Sequence, residues 1–321
     1  MPRDRSFITG TAAAVVAATL FGMLGPLARF AAEAGVGGVA FTAWRAALGV
    51  VFLVTLIAAR RGIRSSLAAV GALSGRGKGA LLLAGLMGLT LNASIFTAFS
   101  LIPIALALML FYTYPAGVVV VDVVFGHERV TPSRLGALLL SSAGVVLVLV
   151  GGMDPSGVLA FNPLGIVLGL TAAASQVVFV TVSRHGYREV PADAATLANI
   201  LASLLGATAI ALLVGQAGDL GTPLRSLAPW PIILLAGVVA AGLSSLLFLT
   251  AIRSLGGTRA GILMLLEPVV GAILAGLLLG ETLAPIQFAG GALVLLGALV
   301  LQLRADPELE PVIEKAAGPV V

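Results

Sequence analysis

Ten apolar stretches, each long enough for a membrane-crossing helix, follow one another along this sequence. Hydrophobic residues make up 59% of the chain and charged residues only 10%, far from the proportions of soluble domains. The hydrocarbon core of a bilayer is about 30 Å thick, so about 20 helical residues cross it. The sequence therefore predicts an all-α integral membrane protein with ten transmembrane spans, numbered 1 to 10, at residues 7–31, 39–59, 79–101, 104–125, 132–152, 163–183, 192–214, 231–252, 259–279 and 284–303.

The second half of the sequence repeats the first. Three landmarks recur at a constant spacing of 153 residues, namely Pro115 with Pro268, Glu128 with Glu281, and Gly144 with Gly297. A weaker match, at a spacing of 155 residues, pairs Arg29 with Arg184. These matches predict two five-helix repeats, at residues 1–152 and 156–305, followed by an acidic tail at 306–321 that we expect to be disordered. We assign Glu128 and Glu281 a structural role as helix-end acids that accept backbone N–H groups.

Basic residues lie in every second connection between spans. They are Arg60, Arg61, Arg64, Arg76 and Lys78 between spans 2 and 3, Arg129 and Arg134 between spans 4 and 5, Arg184 and Arg188 between spans 6 and 7, and Arg253 and Arg259 between spans 8 and 9. Because cytoplasmic loops carry the excess of Lys and Arg, this pattern predicts that both termini are cytoplasmic. Five helices per repeat is an odd number, so the two repeats are predicted to be inverted, as in many secondary transporters.

Glu267 is the strongest functional candidate. It lies near the middle of span 9, where an ionisable group is costly unless it has a partner, an aqueous cavity or a function. A carboxyl group at this depth could take up a proton or pair with a substrate amine. The alternative is a hydrogen-bonded acid that only stabilises helix packing.

Other polar residues inside the spans are candidates for substrate binding or proton coupling. They are Tyr112 and Tyr114 in span 4, Asn92 in span 3, Gln176 in span 6, Trp44 and Arg45 in span 2, and Ser244 in span 8. Arg45 is too deep to be a loop charge and could attract a carboxylate, although it could also extend to the surface. For the amide and hydroxyl side chains, hydrogen bonding between helices is the structural alternative. Asp122, near the cytoplasmic end of span 4, is expected to interact with Arg129 or Arg134.

Pro115 and Pro268 are candidate hinges or kinks. Each proline lacks an N–H group and disturbs the helix around it, which is tolerable at membrane depth only beside protein or a wet cavity. Their matched positions in spans 4 and 9 suggest that both spans lie beside a transport pathway. A merely structural bend is the alternative.

The sequence contains none of the common motifs of enzymes or of metal and cofactor sites. The chain has no cysteine and only two histidines, and it contains no P-loop, GxSxG or HExxH pattern, so we expect no catalytic residues, metal or cofactor. The net charge of +4 is explained by basic residues beside helix ends, so we expect no nucleic-acid partner. The expected partners are the lipid bilayer and a small-molecule substrate, and the proton is a candidate coupling ion.

The assembled motifs resemble the EamA-type transporters of the drug/metabolite transporter superfamily. The likeness covers about residues 7–304 and rests on Leu20-Phe21-Gly22, Trp44-Arg45-Ala46, and the segments from Pro115 to Glu128 and from Pro268 to Glu281. The resemblance implies export or exchange of amino acids, related metabolites or drugs through a central cavity formed by both repeats, in the bacterial inner membrane. Aromatic residues are only 6% of the chain, so an aromatic cage for aromatic substrates is not supported.

The sequence thus favours a secondary active or facilitative transporter that exports or exchanges small metabolites by alternating access. Glu267 would be the proton or amine site. An importer or a lipid-carrier flippase remains the alternative within transport. A membrane scaffold or enzyme is the alternative outside it.

Overall fold

The computed structural model describes residues 2–60, 62–102, 104–125, 131–151, 162–213, 215, 217–279 and 284–303, and every regular element within these ranges is a helix. Nine of the described helical segments are long and apolar enough to cross a membrane, and a shorter apolar helix covers Pro285–Val300. The predicted all-α membrane fold with ten helical spans is confirmed. Glu128, Glu281, Arg129 and the tail at 306–321 lie outside the described residues.

Three of the spans are interrupted, namely spans 4 and 9, where the matched prolines predict kinks, and span 1, while span 8 is continuous but changes to a π-helix in its middle. Span 1 is Pro2–Gly22 and Leu24–Glu33, span 4 is Ile104–Phe111 and Tyr114–Val124, span 8 is Trp230–Leu234, a π-helix at Leu235–Leu243 and Ser244–Leu255, and span 9 is Gly257–Met264 and Glu267–Leu279. The continuous spans are Gly38–Arg60, Gly75–Leu101, Pro132–Gly151, Pro163–His185, Ala192–Leu213 and Pro285–Leu303. Two short helices that the sequence did not predict, Ile63–Gly71 and Ala217–Arg225, lie in the connections.

Local sequence accounts for several of the helix ends. The Ser74 hydroxyl accepts a hydrogen bond from the Gly77 amide at 3.1 Å and so caps the start of span 3. Asn162 caps span 6 by accepting hydrogen bonds from the amides of the second and third helical residues, and Pro163 fills the first position. Gly256 separates spans 8 and 9 with a φ of 86°, a conformation that favours glycine.

The spans pack in pairs, and each pair of spans has an equivalent pair when the two repeats are exchanged. Span 1 packs along span 8, and span 6 packs in the same way along span 3. Spans 2 and 7, spans 4 and 9, and spans 5 and 10 each pack against their own repeat mate. We use "the basic end" for the end of this bundle at which Arg60, Lys78, Arg184 and Arg253 lie.

The contact between spans 5 and 10 shows the repeat symmetry at atomic detail. A Cβ atom on Gly144 would lie 2.5 Å from the Gly290 carbonyl oxygen, so the two backbones touch. Gly297, the repeat mate of Gly144, approaches Ser141 and Ala137 in the equivalent way. Small residues permit this close approach, which replaces the hydrophobic drive that is absent between helices in lipid.

Candidate functional site

The breaks in spans 4 and 9 occur at equivalent positions in the two repeats. Span 4 is interrupted at residues 112–113 and span 9 at residues 265–266, which are separated by the same 153 residues as the prolines. Each break lies just before a proline, Pro115 or Pro268, near the start of the following helix segment. Because a proline has no N–H group, each helix loses one backbone hydrogen bond at the turn before it.

Span 1 breaks at the same level as span 9. Its interruption at Met23 lies beside Gly22, where a Cβ atom would be 3.0 Å from the carbonyl oxygen of Glu267. In the other direction, a Cβ atom on Gly271 would be 3.5 Å from the Gly22 carbonyl oxygen. Glu267 therefore lies at the break in span 9, beside the break in span 1. Such discontinuous helices commonly form the substrate site of transporters near the midplane.

Four polar side chains from four different spans meet at this level. The Arg45 guanidinium in span 2 donates a hydrogen bond to the Asn92 side-chain oxygen in span 3 at 3.0 Å. The Asn92 amide in turn donates to the Gly88 carbonyl oxygen at 2.7 Å, which fixes its orientation. In span 9, the Glu267 carboxyl faces the Tyr112 hydroxyl as a hydrogen-bond partner and lies within electrostatic reach of Arg45.

A second polar pair extends the cluster towards span 6. The Tyr114 hydroxyl interacts with the Gln176 side chain, and the charge of Glu267 also acts on Tyr114. Between the two tyrosines, the Phe111 ring lies 5.2 Å from the ring of Tyr112 and 5.3 Å from that of Tyr114. The two tyrosines are thus directed to partners on different helices, one in span 9 and one in span 6.

Six of the eight predicted binding residues therefore form one group, which we call the central cluster: Arg45, Asn92, Tyr112, Tyr114, Gln176 and Glu267. The two tyrosines are buried, but the other four side chains keep some accessible surface in spite of their depth. This combination is expected for side chains that border an internal space. The first repeat contributes four members and the second repeat contributes Gln176 and Glu267.

Trp44 and Ser244, the other two predicted binding residues, lie outside the central cluster. The Trp44 ring packs edge-on against Trp230 with centroids 5.6 Å apart, and its indole N–H donates to the Leu220 carbonyl oxygen at 3.0 Å. This places Trp44 towards the end opposite the basic end. Ser244 is fully buried and donates to the Ala240 carbonyl oxygen of its own helix at 2.8 Å.

A second buried polar group joins spans 4, 6 and 9 at the basic end. Asp122 of span 4 accepts a hydrogen bond from the Thr258 hydroxyl of span 9 at 3.0 Å, and an Arg184 nitrogen of span 6 lies 3.7 Å from the same carboxylate. The sequence indicated partners for Asp122 only in the next connection, so it missed Thr258 and Arg184. The spacing match between Arg29 and Arg184 was the one available signal that Arg184 had a special position.

The connection between spans 6 and 7 is fastened to span 8 at this same end. Arg253 donates to the Val190 carbonyl oxygen at 2.7 Å and to the Tyr187 carbonyl oxygen at 3.2 Å, and its guanidinium lies 5.5 Å from the centre of the Tyr187 ring. Burial raises the pKa of the Tyr187 hydroxyl, which is hydrogen-bonded to Ser183. The basic end is therefore tightly packed.

No group of three or more acidic or histidine side chains that could hold a metal ion occurs among the described residues.

A sequence profile of the EamA-like transporter family matches residues 8–150 and 163–303, one copy in each half of the chain. The chain belongs to the EamA-like transporter family. Its two matches cover all ten spans.

Two further similarities agree with this assignment. An uncharacterized transporter from Archaeoglobus fulgidus is 30% identical over 208 residues, which cover 65% of this chain and 70% of that protein. A crystal structure covers 94% of this chain and 98% of its own with a TM-score of 0.71, and at 20% identity it shows the shared fold alone. The EamA-like chain described here is thus a membrane transporter. Its central cluster brings together an acid from one repeat and a base from the other.

Proposed function

We propose that this EamA-like transporter exports or exchanges small zwitterionic metabolites, such as amino acids, by alternating access. The observation that carries the proposal is that Glu267 and Arg45, which come from opposite repeats, lie inside the bundle within electrostatic reach of each other. A substrate that bound both residues would lie between the repeats. It would therefore be exposed to one side or the other as the repeats move relative to one another.

The charges of the central cluster favour a substrate that carries both an ammonium and a carboxylate group. Without substrate, the charge of Arg45 partly balances that of Glu267. A substrate with only one charge would occupy one of these residues and leave the other buried and poorly compensated, which is strongly unfavourable. A zwitterion satisfies both, with its ammonium at Glu267 and its carboxylate at Arg45. Asn92 and Tyr112 already hydrogen-bond these two groups and would orient them.

The proposed cycle begins from a conformation closed at the basic end. There, Asp122, Arg184 and Thr258 join three spans. At the other end, Arg29, the repeat mate of Arg184, is exposed and lies 3.9 Å from Glu33 of its own span. By the positive-inside rule, the basic end faces the cytoplasm, and we place the protein in a bacterial inner membrane on the resemblance alone. In that orientation, the end that is joined by Asp122, Arg184 and Thr258 faces the cytoplasm.

The experiment is substrate exchange in proteoliposomes that contain the purified protein. A panel would compare each amino acid with its deaminated acid and its decarboxylated amine, because each analogue lacks one of the two charges. Glu267→Gln keeps the size of the side chain but removes its charge, and we expect about 30-fold weaker exchange or more. Glu33→Gln, an exposed acid outside the cluster, is the matched control.

The pH dependence gives a second readout. Protonation would remove the negative charge of Glu267, so binding of an ammonium group should weaken as the pH falls. The Glu267→Gln variant should lose this dependence while Glu33→Gln keeps it. If exchange and its pH profile are the same in Glu267→Gln as in the unmodified protein, the role of Glu267 is wrong.

A further inference from the structure

A narrow cleft opens on the side of the bundle between spans 3 and 7, close to the basic end. Its volume is about 260 Å³, and apart from Lys78 its lining is apolar. The lining residues used below are Val70, Lys78, Leu81, Leu82, Ala198 and Ala202. Span 3 belongs to the first repeat and span 7 to the second, so the cleft lies at a junction of the repeats.

The depth of the cleft matches one leaflet of a bilayer. Lys78 is in the first turn of span 3, and the lining reaches Gly85, about 10 Å further along the helix at 1.5 Å per residue. On span 7 the lining residues lie between about 9 and 15 Å from the start of the helix. Half of the hydrocarbon core is about 15 Å thick, so the cleft is accessible to the upper part of an acyl chain.

The connection that leads into span 3, on one side of the cleft, carries positive charge. Residues 60–78, which connect spans 2 and 3, contain five Arg or Lys residues and no Asp or Glu. The helix Ile63–Gly71 in this connection exposes apolar side chains, with Ile63 43% and Leu67 65% accessible, as expected for a helix lying in the membrane interface. Its residue Val70 forms part of the cleft wall.

A second cleft of about 290 Å³ near spans 2, 7 and 8 is less suited to an anion. Its lining includes Arg60, but it also includes the carboxylate of Asp193. The cleft at Lys78 has no acidic residue in its lining. Its one cation lies at the leaflet boundary, and its apolar walls lie deeper. This is the arrangement of charge and depth that a phospholipid has.

We propose that the cleft between spans 3 and 7 binds one phospholipid with an anionic headgroup from the leaflet at the basic end. The lipid phosphate would lie at Lys78, and an acyl chain would run between Leu82 and Ala202. This site is separate from the central cluster and does not depend on the proposed substrate. A lipid bound there would contact both repeats.

The test compares two substitutions that change the net charge equally. Lys78→Gln removes the cation of the cleft, whereas Arg76→Gln removes a cation two residues earlier, on another side of the same helix. Native mass spectrometry of the purified protein would measure adducts of phosphatidylglycerol and of phosphatidylcholine. We expect preferential binding of one phosphatidylglycerol, weakened about fivefold by Lys78→Gln and far less by Arg76→Gln. Equal effects of the two substitutions would indicate general electrostatic attraction and overturn the site.

A third variant tests the acyl chain. Ala202→Leu adds bulk inside the cleft without altering charge, and it should also weaken the phosphatidylglycerol adduct. Each variant is first checked for an unchanged elution volume and unfolding temperature in detergent. Glycerol phosphate, which has the headgroup but no chain, should not compete. The proposal fails if Ala202→Leu binds phosphatidylglycerol normally, or if the unmodified protein shows no preference over phosphatidylcholine.

Discussion

Replacing Asp122 by Asn should open the transporter at its basic end. The substitution keeps the size of the side chain and an oxygen for the Thr258 hydroxyl, so it removes chiefly the charge that attracts Arg184. Two unit charges 3.7 Å apart attract by about 4.5 kcal/mol at an effective dielectric constant of about 20. Both side chains are largely buried, with 2% and 15% of their surface accessible, so screening by solvent is limited.

The remaining oxygen of the Asn side chain recovers part of this attraction. We therefore expect a loss of about 3 kcal/mol, the lower end of the range measured for broken buried ion pairs. If only the conformation with a closed basic end is destabilised by this amount, the equilibrium shifts towards the open conformation by about 150-fold. Thr258→Val removes the hydrogen bond but keeps the charges, so its effect should be about 1 kcal/mol, or about fivefold.

Cysteine labelling can measure this shift because the natural chain has no cysteine. Ala260 in span 9 is fully buried near Asp122 and is a suitable position for a single cysteine. A membrane-impermeant maleimide added from the basic end should label Ala260→Cys slowly, and much faster when Asp122→Asn is also present. Arg29→Gln, at the other end of the bundle, should leave the rate unchanged.

An unfolded variant would also label quickly, so the unfolding temperature and elution volume of each protein are measured in parallel. The reasoning is refuted if Asp122→Asn is folded and labels at the same rate as the Ala260→Cys protein alone. In that case the Asp122 group contributes to folding but does not hold the basic end closed.

Two further predictions concern packing. Gly144→Ala should reduce the free energy of unfolding by about 1–3 kcal/mol and so lower the unfolding temperature in detergent, because the new methyl group would meet the Gly290 carbonyl oxygen at 2.5 Å. Gly136→Ala, whose new methyl group would face open space, is the control. Equal effects of the two substitutions would contradict the close approach. Trp44→Phe loses the hydrogen bond to Leu220 and should cost about 0.5–1.5 kcal/mol, measurable by the same unfolding assay; no change would show that this bond is dispensable.

Much of the fold could be predicted from the sequence because membrane insertion depends on properties that a sequence displays directly. The spans follow from the length of apolar runs, and the matched prolines indicated two related helices in the two repeats. The break in span 1 and the π-helix in span 8 were missed. Pro26 lies three residues after the break at Met23, but the matching position in span 6 is Thr181, and the repeat mates, spans 6 and 3, are continuous α-helices.

The central cluster could be predicted in part. Ionisable and amide side chains deep inside spans are costly, so Glu267, Arg45, Asn92 and Gln176 were conspicuous without any structure. Ser244 was selected for the same reason, but a hydroxyl can also donate a hydrogen bond within its own helix, as Ser244 does to the Ala240 carbonyl oxygen. A polar residue in a sequence shows that a partner is needed but not which partner it finds.

The sequence by itself determined the number of spans, the duplication and the presence of an acid and a base at membrane depth. Only the tertiary structure decided that Arg45 and Glu267 lie within electrostatic reach of each other, that Asp122 lies 3.7 Å from Arg184, and that an apolar cleft opens at Lys78. The physical reason is that the sequence does not fix the rotation of each helix about its own axis. These spans are apolar on most of their surface, so hydrophobic periodicity does not specify which face of a helix turns inwards. That choice is made by close glycine contacts and helix breaks, which join residues far apart in the chain.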